Sequence, residues 1–173
     1  MAGSLIKIDE EIVTSATASV TLGGSDWDSS YDVYMVKLNN VVPADDNKYL
    51  TYRFTVGGTA DSSANYDQAL KELRADSAFD NVAQTNQTSG SFDNAGTGTG
   101  EQNNNVMYLF NFNNASEYSF ATVEGSARSS AGHLRARQGG SVLTVAQACD
   151  GIQFLYTSGN IASGTFTLYG LKK

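Results

Sequence analysis

The sequence is poor in the residues that usually carry covalent and metal chemistry. Its 173 residues include one cysteine, one histidine and one proline. Because a disulfide needs two cysteines, Cys149 can form none within the chain. A single histidine beside a single cysteine also provides no zinc-ligand set. With Pro43 as the only proline, the chain is not a proline-rich linker or stalk. We therefore expect no cofactor.

Charged residues and long apolar runs are scarce as well. Charged residues make up 17% of the chain and the net charge is −7, whereas ordinary domains are about one quarter charged. An acidic chain repels phosphate backbones, so nucleic-acid binding is disfavoured. No apolar run is long enough to cross a bilayer, and the first residues lack the pattern of a secretory signal. We expect synthesis in a cytoplasm, no membrane partner, and release by lysis.

Ser, Thr, Asn and Gly are abundant, and they separate short alternating apolar stretches. This mixture is typical of short strands joined by polar turns, and about eight to ten strands can be counted. In YDVYMVKL (Tyr31–Leu38) neither alternate set is polar, which predicts a strand covered on both faces. KYLTYRFTV (Lys48–Val56) alternates clearly and predicts a strand with one buried face. The composition of PADDN (43–47), between these two segments, predicts a turn.

The pattern changes in residues 57–105. Within NYDQALKELRADSAF, the residues Tyr66, Leu70 and Leu73 have the spacing of one helix face, although an irregular edge strand fits the same segment. The remainder is rich in Asn, Gln, Ser, Thr and Gly and predicts a long loop. The prediction is an all-β fold in a single domain over residues 1–173. We expect a jelly-roll-like antiparallel β-sandwich with one loop-rich insertion and at most one short helix.

No catalytic constellation stands out in the sequence. His133 lies in a basic, alternating segment typical of a surface strand, and no Gly-x-Ser-x-Gly elbow accompanies it. Cys149 has no cysteine neighbour and is interpreted as a buried, inert thiol. None of the eighteen Asp and Glu residues is marked out as a glycosidase pair. We therefore expect a protein that is not an enzyme.

Oxygen-rich loops give no clear ion site. Asp26 and Asp28, and the ADDN segment at 44–47, offer carboxylates for calcium but lack the EF-hand spacing. Turn geometry explains these residues more simply. GTGTG (Gly96–Gly100) follows a polar loop rather than a strand, so it does not fit a phosphate cradle. The sequence predicts no metal site.

A group of basic residues stands out on this acidic chain. His133, Arg135 and Arg137 alternate with apolar residues in HLRAR, so their side chains share one face of a strand, and Arg128 lies nearby. Two interpretations remain open. The group forms a solvated outer face that compensates the protein's own aspartates, or it docks onto an acidic partner or a second copy of the chain.

Trp27 is the second surface candidate. It lies on a predicted loop with Asp26 and Asp28, close to Tyr31. Aromatic rings beside carboxylates are suited to holding sugars, because the ring stacks and the acids accept hydroxyl protons. The alternative is that Trp27 closes one end of the core, as large aromatic residues commonly do.

The C-terminal segment GIQFLYTSGNIASGTFTLYGLKK resembles the end of small β-rich virion proteins and of head-fibre or tail-fibre tip domains of tailed bacteriophages. The segments YDVYMVKLNNVVPADDNKYLTYRFTVGG and SSANYD are also similar to that group. The resemblance covers most of the chain from Ile6 onward. It implies a structural protein with a jelly-roll-like sandwich, displayed on the phage particle and trimeric.

The strand pattern begins within a few residues of Met1, where tail fibres usually carry a shaft. This favours a stand-alone surface piece, for which HLRAR and the early strand Leu5–Ile8 are candidate docking elements. The leading expectation is a non-enzymatic capsid decoration or head-fibre protein that binds other virion proteins. The alternative is a tail-fibre or spike tip that binds a host receptor or surface glycan through Trp27.

Overall fold

The computed structural model describes residues 4–172, which contain thirteen β-strands and a single 3-10 turn at Gly24–Asp26. The strands are β1 (Ser4–Val13), β2 (Val20–Gly23), β3 (Val33–Pro43), β4 (Lys48–Val56), β5 (Thr59–Ala60), β6 (Tyr66–Arg74), β7 (Asp80–Gln87), β8 (Gly90–Ala95), β9 (Asn103–Phe110), β10 (Tyr118–Arg128), β11 (Leu134–Ala146), β12 (Gly151–Tyr156) and β13 (Ile161–Lys172).

The strands form two antiparallel sheets in a sandwich-like arrangement. The larger sheet has eight strands in the order β1-β13-β3-β9-β10-β11-β6-β7. The smaller has five, with β2-β12-β4-β5 in a row and β8 also paired to β4. The prediction of an all-β antiparallel sandwich is confirmed.

The hydrophobic core lies between the two sheets. In β4, Leu50, Tyr52 and Phe54 are fully buried, as their alternation predicts. Phe154 of β12 contacts Phe166 of β13, with ring centroids 5.5 Å apart, and so joins the smaller sheet to the larger one. Aromatic pairs of this kind add stability beyond the burial of their area.

Of the two alternatives for the segment NYDQALKELRADSAF, the helix is wrong: a strand forms, although it does not lie at a sheet edge. The segment containing Tyr66, Leu70 and Leu73 is strand β6, which pairs with β11 on one side and β7 on the other. Its burial alternates, with Tyr66, Gln68 and Leu70 buried and the residues between them more exposed. The spacing of three and four fits one helix face, but pairing with β11 gives the backbone its hydrogen bonds and selects the strand.

The prediction of a loop-rich insertion at 57–105 is also wrong. This range contains β5, β6, β7 and β8 and the start of β9. β6 and β7 extend the larger sheet, and β5 and β8 pair with β4 in the smaller one. Polar composition suggested a loop because β7 is almost entirely exposed, so no buried apolar set reveals it in the sequence.

Candidate functional site

The broadest candidate surface is the face of the eight-stranded sheet that points away from the five-stranded sheet, here called the outer face. Directly paired residues of neighbouring antiparallel strands project to the same side. The pairing register therefore places fifteen residues on this side, in three rows across β3, β9, β10, β11 and β6. The rows are Val33, Phe110, Phe120, Val142 and Asp67; Met35, Tyr108, Thr122, Gly140 and Ala69; and Lys37, Val106, Glu124, Gln138 and Lys71.

Large aromatic side chains project from the middle of this face. Tyr108 and Phe110 on β9 and Phe120 on β10 form a group that we call the aromatic ridge. Phe120 is 45% exposed and Tyr108 is 37% exposed, so no described segment covers them. Exposed apolar surface of this extent commonly marks a binding surface for another molecule.

Small residues lie beside the ridge. Gly140 on β11, Ala69 on β6 and Ala83 on β7 are paired in one row, and we call this row the trough. A groove of about 640 Å³ is lined by the trough, by Phe110 and by Phe120. The side chains diminish from Tyr108 to Gly140 along the same row, and this decrease creates the hollow.

The four predicted basic residues do not form one docking patch. Arg135 and Arg137 pair in register with Arg74 and Glu72 on the inner side of the sheet, whereas Arg128 pairs with exposed Leu134 on the outer side. The prediction of a shared surface is therefore wrong for these residues. Alternation correctly put Arg135 and Arg137 on one face, but it could not say that this face points inward.

His133 and Arg128 differ from Arg135 and Arg137 in their exposure to solvent. His133 is exposed just before β11 begins. Arg128 is exposed, and it donates hydrogen bonds to the carbonyl oxygens of Gly132 and Thr99, both at 3.1 Å. The other proposed docking element, Leu5–Ile8, lies on the edge strand β1, where Leu5, Ile6 and Lys7 are exposed.

Arg137 is a buried link between the two sheets. Only 6% of the residue is exposed, and its Nη2 donates to a carboxylate oxygen of Glu72 at 2.9 Å. Its Nη1 donates to the carbonyl oxygen of Phe92 on β8 at 2.9 Å, and its guanidinium lies 5.3 Å from the centre of the Tyr49 ring. Burial raises the pKa of the nearby Asp93 carboxyl, and the charge of Arg137 opposes that rise. This residue stabilises the sandwich.

Trp27 is engaged by its own chain. Its ring stacks on Tyr34 with centroids 4.0 Å apart and also contacts Phe112 at 5.7 Å. The indole Nε1–H donates to Asn113 Oδ1 at 2.8 Å. These contacts occupy one ring face and the only polar group of the indole, which favours the interpretation that Trp27 closes the core.

The residues around Trp27 have turn roles. The hydroxyl of Ser30 donates to Asp28, which holds the pKa of that carboxyl below its usual value. Asp26 is exposed at the end of the 3-10 turn. Tyr31 is half-buried and meets Tyr34 edge-on at 6.1 Å. The contacts of Trp27, Asp28 and Tyr31 are thus with other residues of the same chain, namely Tyr34, Ser30 and Asn113.

The described residues contain neither a group of metal ligands nor a membrane-spanning helix. Within residues 4–172, no group of three or more His, Cys, Asp or Glu side chains is placed to hold a metal ion. Asn47, in the ADDN segment, has a left-handed φ of 56° in the turn between β3 and β4, as turn chemistry predicts. No helix in this same range is long and apolar enough to span a bilayer.

Cys149 is expected to be unreactive in the folded protein. It is buried, and burial raises the pKa of its thiol to about 11. Since the thiolate is the reactive form, a disulfide reagent at pH 8 should modify less than a few per cent of native chains in the time that it modifies urea-unfolded chains fully. Equal rates in both states would contradict the burial of this residue.

No protein-family model matches the chain, and no curated protein matches its sequence significantly.

The outer face was missed by the sequence reasoning. Its signal is present in NVMYLFNF, where both alternate sets are apolar: Met107 and Leu109 are buried, while Tyr108 and Phe110 lie on the outer face. In β3, too, both alternate sets are largely apolar, which is the basis for the prediction that this strand is covered on both faces. The five-stranded sheet covers only the inner face, and Val33 and Met35 on the other side remain half-buried.

Proposed function

We propose that this protein is a non-enzymatic structural protein of a tailed-phage virion, displayed on the particle surface as a capsid decoration or head-fibre protein. The observation that carries the proposal is the outer face, where aromatic rings of an acidic protein are exposed on a broad sheet. Such a face gains free energy when another protein covers it, because its apolar surface is removed from water.

The resemblance of the C-terminal and central strand sequences to phage virion proteins supplies the setting for this proposal. A surface protein of a particle must hold its shape while it presents one face to neighbouring proteins. The buried Arg137 link and the aromatic contacts between β12 and β13 suit that task, because they join the two sheets through the core.

A second candidate function is a tail-fibre or spike tip that binds a host surface glycan. The groove beside the aromatic ridge favours it, since a volume of about 640 Å³ is within the usual range for small-ligand sites. Asp67, Gln84 and Thr122 line the same groove and supply polar groups. Trp27 is the less suitable ring for stacking, because Tyr34 already covers one of its faces.

The test is immunogold electron microscopy of purified phage particles, with antibody raised against this chain. We expect gold over the heads. Antibody that has been pre-absorbed with the purified chain is the matched control and should leave the particles bare. Gold confined to the tail would replace the leading function with the glycan-binding one. Particles without gold would overturn the virion assignment.

A further inference from the structure

We propose that the outer face is the surface through which copies of this chain associate, with Tyr108 of one copy's aromatic ridge seated over the trough of another. The inference rests on the proposed function for its biological setting, and it deepens that function by naming a partner for the face. The geometry that carries it belongs to the chain alone and can be tested without the phage.

The ridge and the trough lie side by side on one face, so two copies can seat each other reciprocally. A two-fold axis parallel to the strands and between β10 and β11 would place β9 of one copy over β6 of the other, and β10 over β11. Tyr108 would then lie over Ala69 of the second copy, and Thr122 over its Gly140. In this row the large Tyr108 would meet the small Ala69 in both directions, as side chains do in packed sheets. In the neighbouring row, Phe120 would pack on Val142 of the second copy and Phe110 would lie over its Asp67.

The charge of the face permits contact between identical copies. The chain as a whole carries −7, but the three rows contain two basic residues, Lys37 and Lys71, and two acidic ones, Glu124 and Asp67. Their charges cancel, so identical faces would not repel each other. The same two-fold arrangement brings Glu124 of one copy beside Lys71 of the other, which adds a complementary pair.

The size of the face suits a stable interface. From β3 to β7 the sheet is six strands wide; at about 4.8 Å per strand and about 6.8 Å per row, three rows project over about 600 Å². A protruding ridge and a hollow trough expose more area than their projection. A standard interface buries about 800 Å² per partner, so the outer face is of the right order.

The first measurement is the mass of the purified chain in solution, by light scattering coupled to gel filtration over a range of concentrations. One chain has a mass of 18.4 kDa. We expect a species of two chains, because a two-fold interface closes when two copies have joined; a three-chain species would contradict the two-fold arrangement. A single-chain mass at every concentration up to about 100 μM, well above the Kd of a specific interface of standard size, would overturn the proposal.

Two substitutions on the outer face test the proposal, one in the trough and one on the aromatic ridge. Gly140→Tyr fills the trough, and a Cβ built on Gly140 meets only the carbonyl oxygen of Ala121, at an ordinary 3.5 Å. Phe120→Glu replaces a ridge residue that is 45% exposed. Val56→Glu is the matched control, because Val56 is 36% exposed but lies on β4 in the other sheet.

We expect both outer-face variants to weaken association at least about 100-fold, as the loss of a central contact does. The control should keep the parent mass, and thermal melting should show that each variant is folded. If folded variants of both kinds keep the oligomer, the outer face is not the interface and the proposal is overturned.

Cross-linking gives a second measurement that does not depend on disrupting the fold. Thr122 is exposed near the proposed axis, whereas Thr21 is exposed on β2 of the smaller sheet. With oxidised glutathione as the oxidant, Thr122→Cys should form a disulfide-linked pair of chains much faster than Thr21→Cys. The buried Cys149 is the common background. Equal rates, or a faster Thr21→Cys, would overturn the proposal.

These outcomes are distinguishable from failure of the proposed function. A chain that associates through the outer face but labels no particle would keep this inference and remove the virion assignment. A chain that labels the heads yet stays a single chain in solution would keep the function and overturn self-association.

Discussion

Deletion of residues 165–173 is expected to abolish folding and yield aggregated protein. β13 is an interior strand that pairs with β1 on one side and β3 on the other. Phe166 and Leu168 are fully buried; truncating such residues to Ala costs about 3–5 and about 2–5 kcal/mol. The hydrogen bonds to β1 and β3 are lost as well. The free energy lost in total is then comparable to the whole unfolding free energy of a typical domain, about 5–15 kcal/mol. β3 would also be left as an exposed edge.

The measurement is the soluble fraction after expression, followed by circular dichroism of any soluble chain. Removal of residues 1–7 is the comparison, because it trims one end of the edge strand β1 and leaves β13 paired with β3. This shorter chain should remain folded. If the chain without residues 165–173 stays soluble and melts at the parent temperature, β13 is not required as an interior strand of the sheet.

Arg137→Met is expected to destabilise the protein by about 3–5 kcal/mol, the cost of breaking a buried ion pair by removing one partner. The substitution removes the hydrogen bonds to Glu72 and to the Phe92 carbonyl. It also leaves the buried carboxylates of Glu72 and Asp93 without their nearest cation. Urea unfolding at pH 7 measures the loss, as a lower midpoint with an unchanged slope.

Arg128→Met is the control for charge and composition. Arg128 is exposed, so its loss should cost less than about 1 kcal/mol, as for other exposed polar contacts. If the two variants had equal midpoints, Arg137 could not be a buried link between the sheets.

The cost of Arg137→Met should shrink in acid. Burial already raises the pKa of Asp93, and removing Arg137 takes away the charge that opposes this rise. A carboxyl whose pKa is higher in the folded state than in the unfolded state binds its proton more tightly when folded. Lowering the pH toward that raised pKa therefore stabilises the variant relative to the parent. The difference in unfolding free energy should be smaller at pH 5 than at pH 7.5, and a larger difference at pH 5 would contradict this assignment.

Local patterns were sufficient for much of the fold. Alternation in Lys48–Val56 predicted a strand with a buried face, and the structure shows Leu50, Tyr52 and Phe54 fully buried there. The PADDN turn between β3 and β4 was also predicted correctly. In these segments the side-chain period and the turn chemistry act over a few residues, so the sequence alone carries the signal.

The sequence was ambiguous where the structure of one segment depends on which other strands pair with it. Tyr66, Leu70 and Leu73 fit one helix face as well as a strand, and only pairing with β11 decides between them. Alternation in HLRAR put Arg135 and Arg137 on one side of a strand, but the inner side of a sheet is defined by what packs on it. Glu72 on β6 lies 65 positions away in the chain from Arg137, and no local pattern connects them.

By itself the sequence determined that this is an all-β protein with one buried thiol and strands that are apolar on both sides. The tertiary structure alone decided that its most basic segment is partly internal. It also decided that aromatic residues of two neighbouring strands lie beside a row of small residues on an exposed face. The physical reason is that periodicity tells which side chains share a face of a strand. Register and packing tell which faces come together and which remain exposed to water.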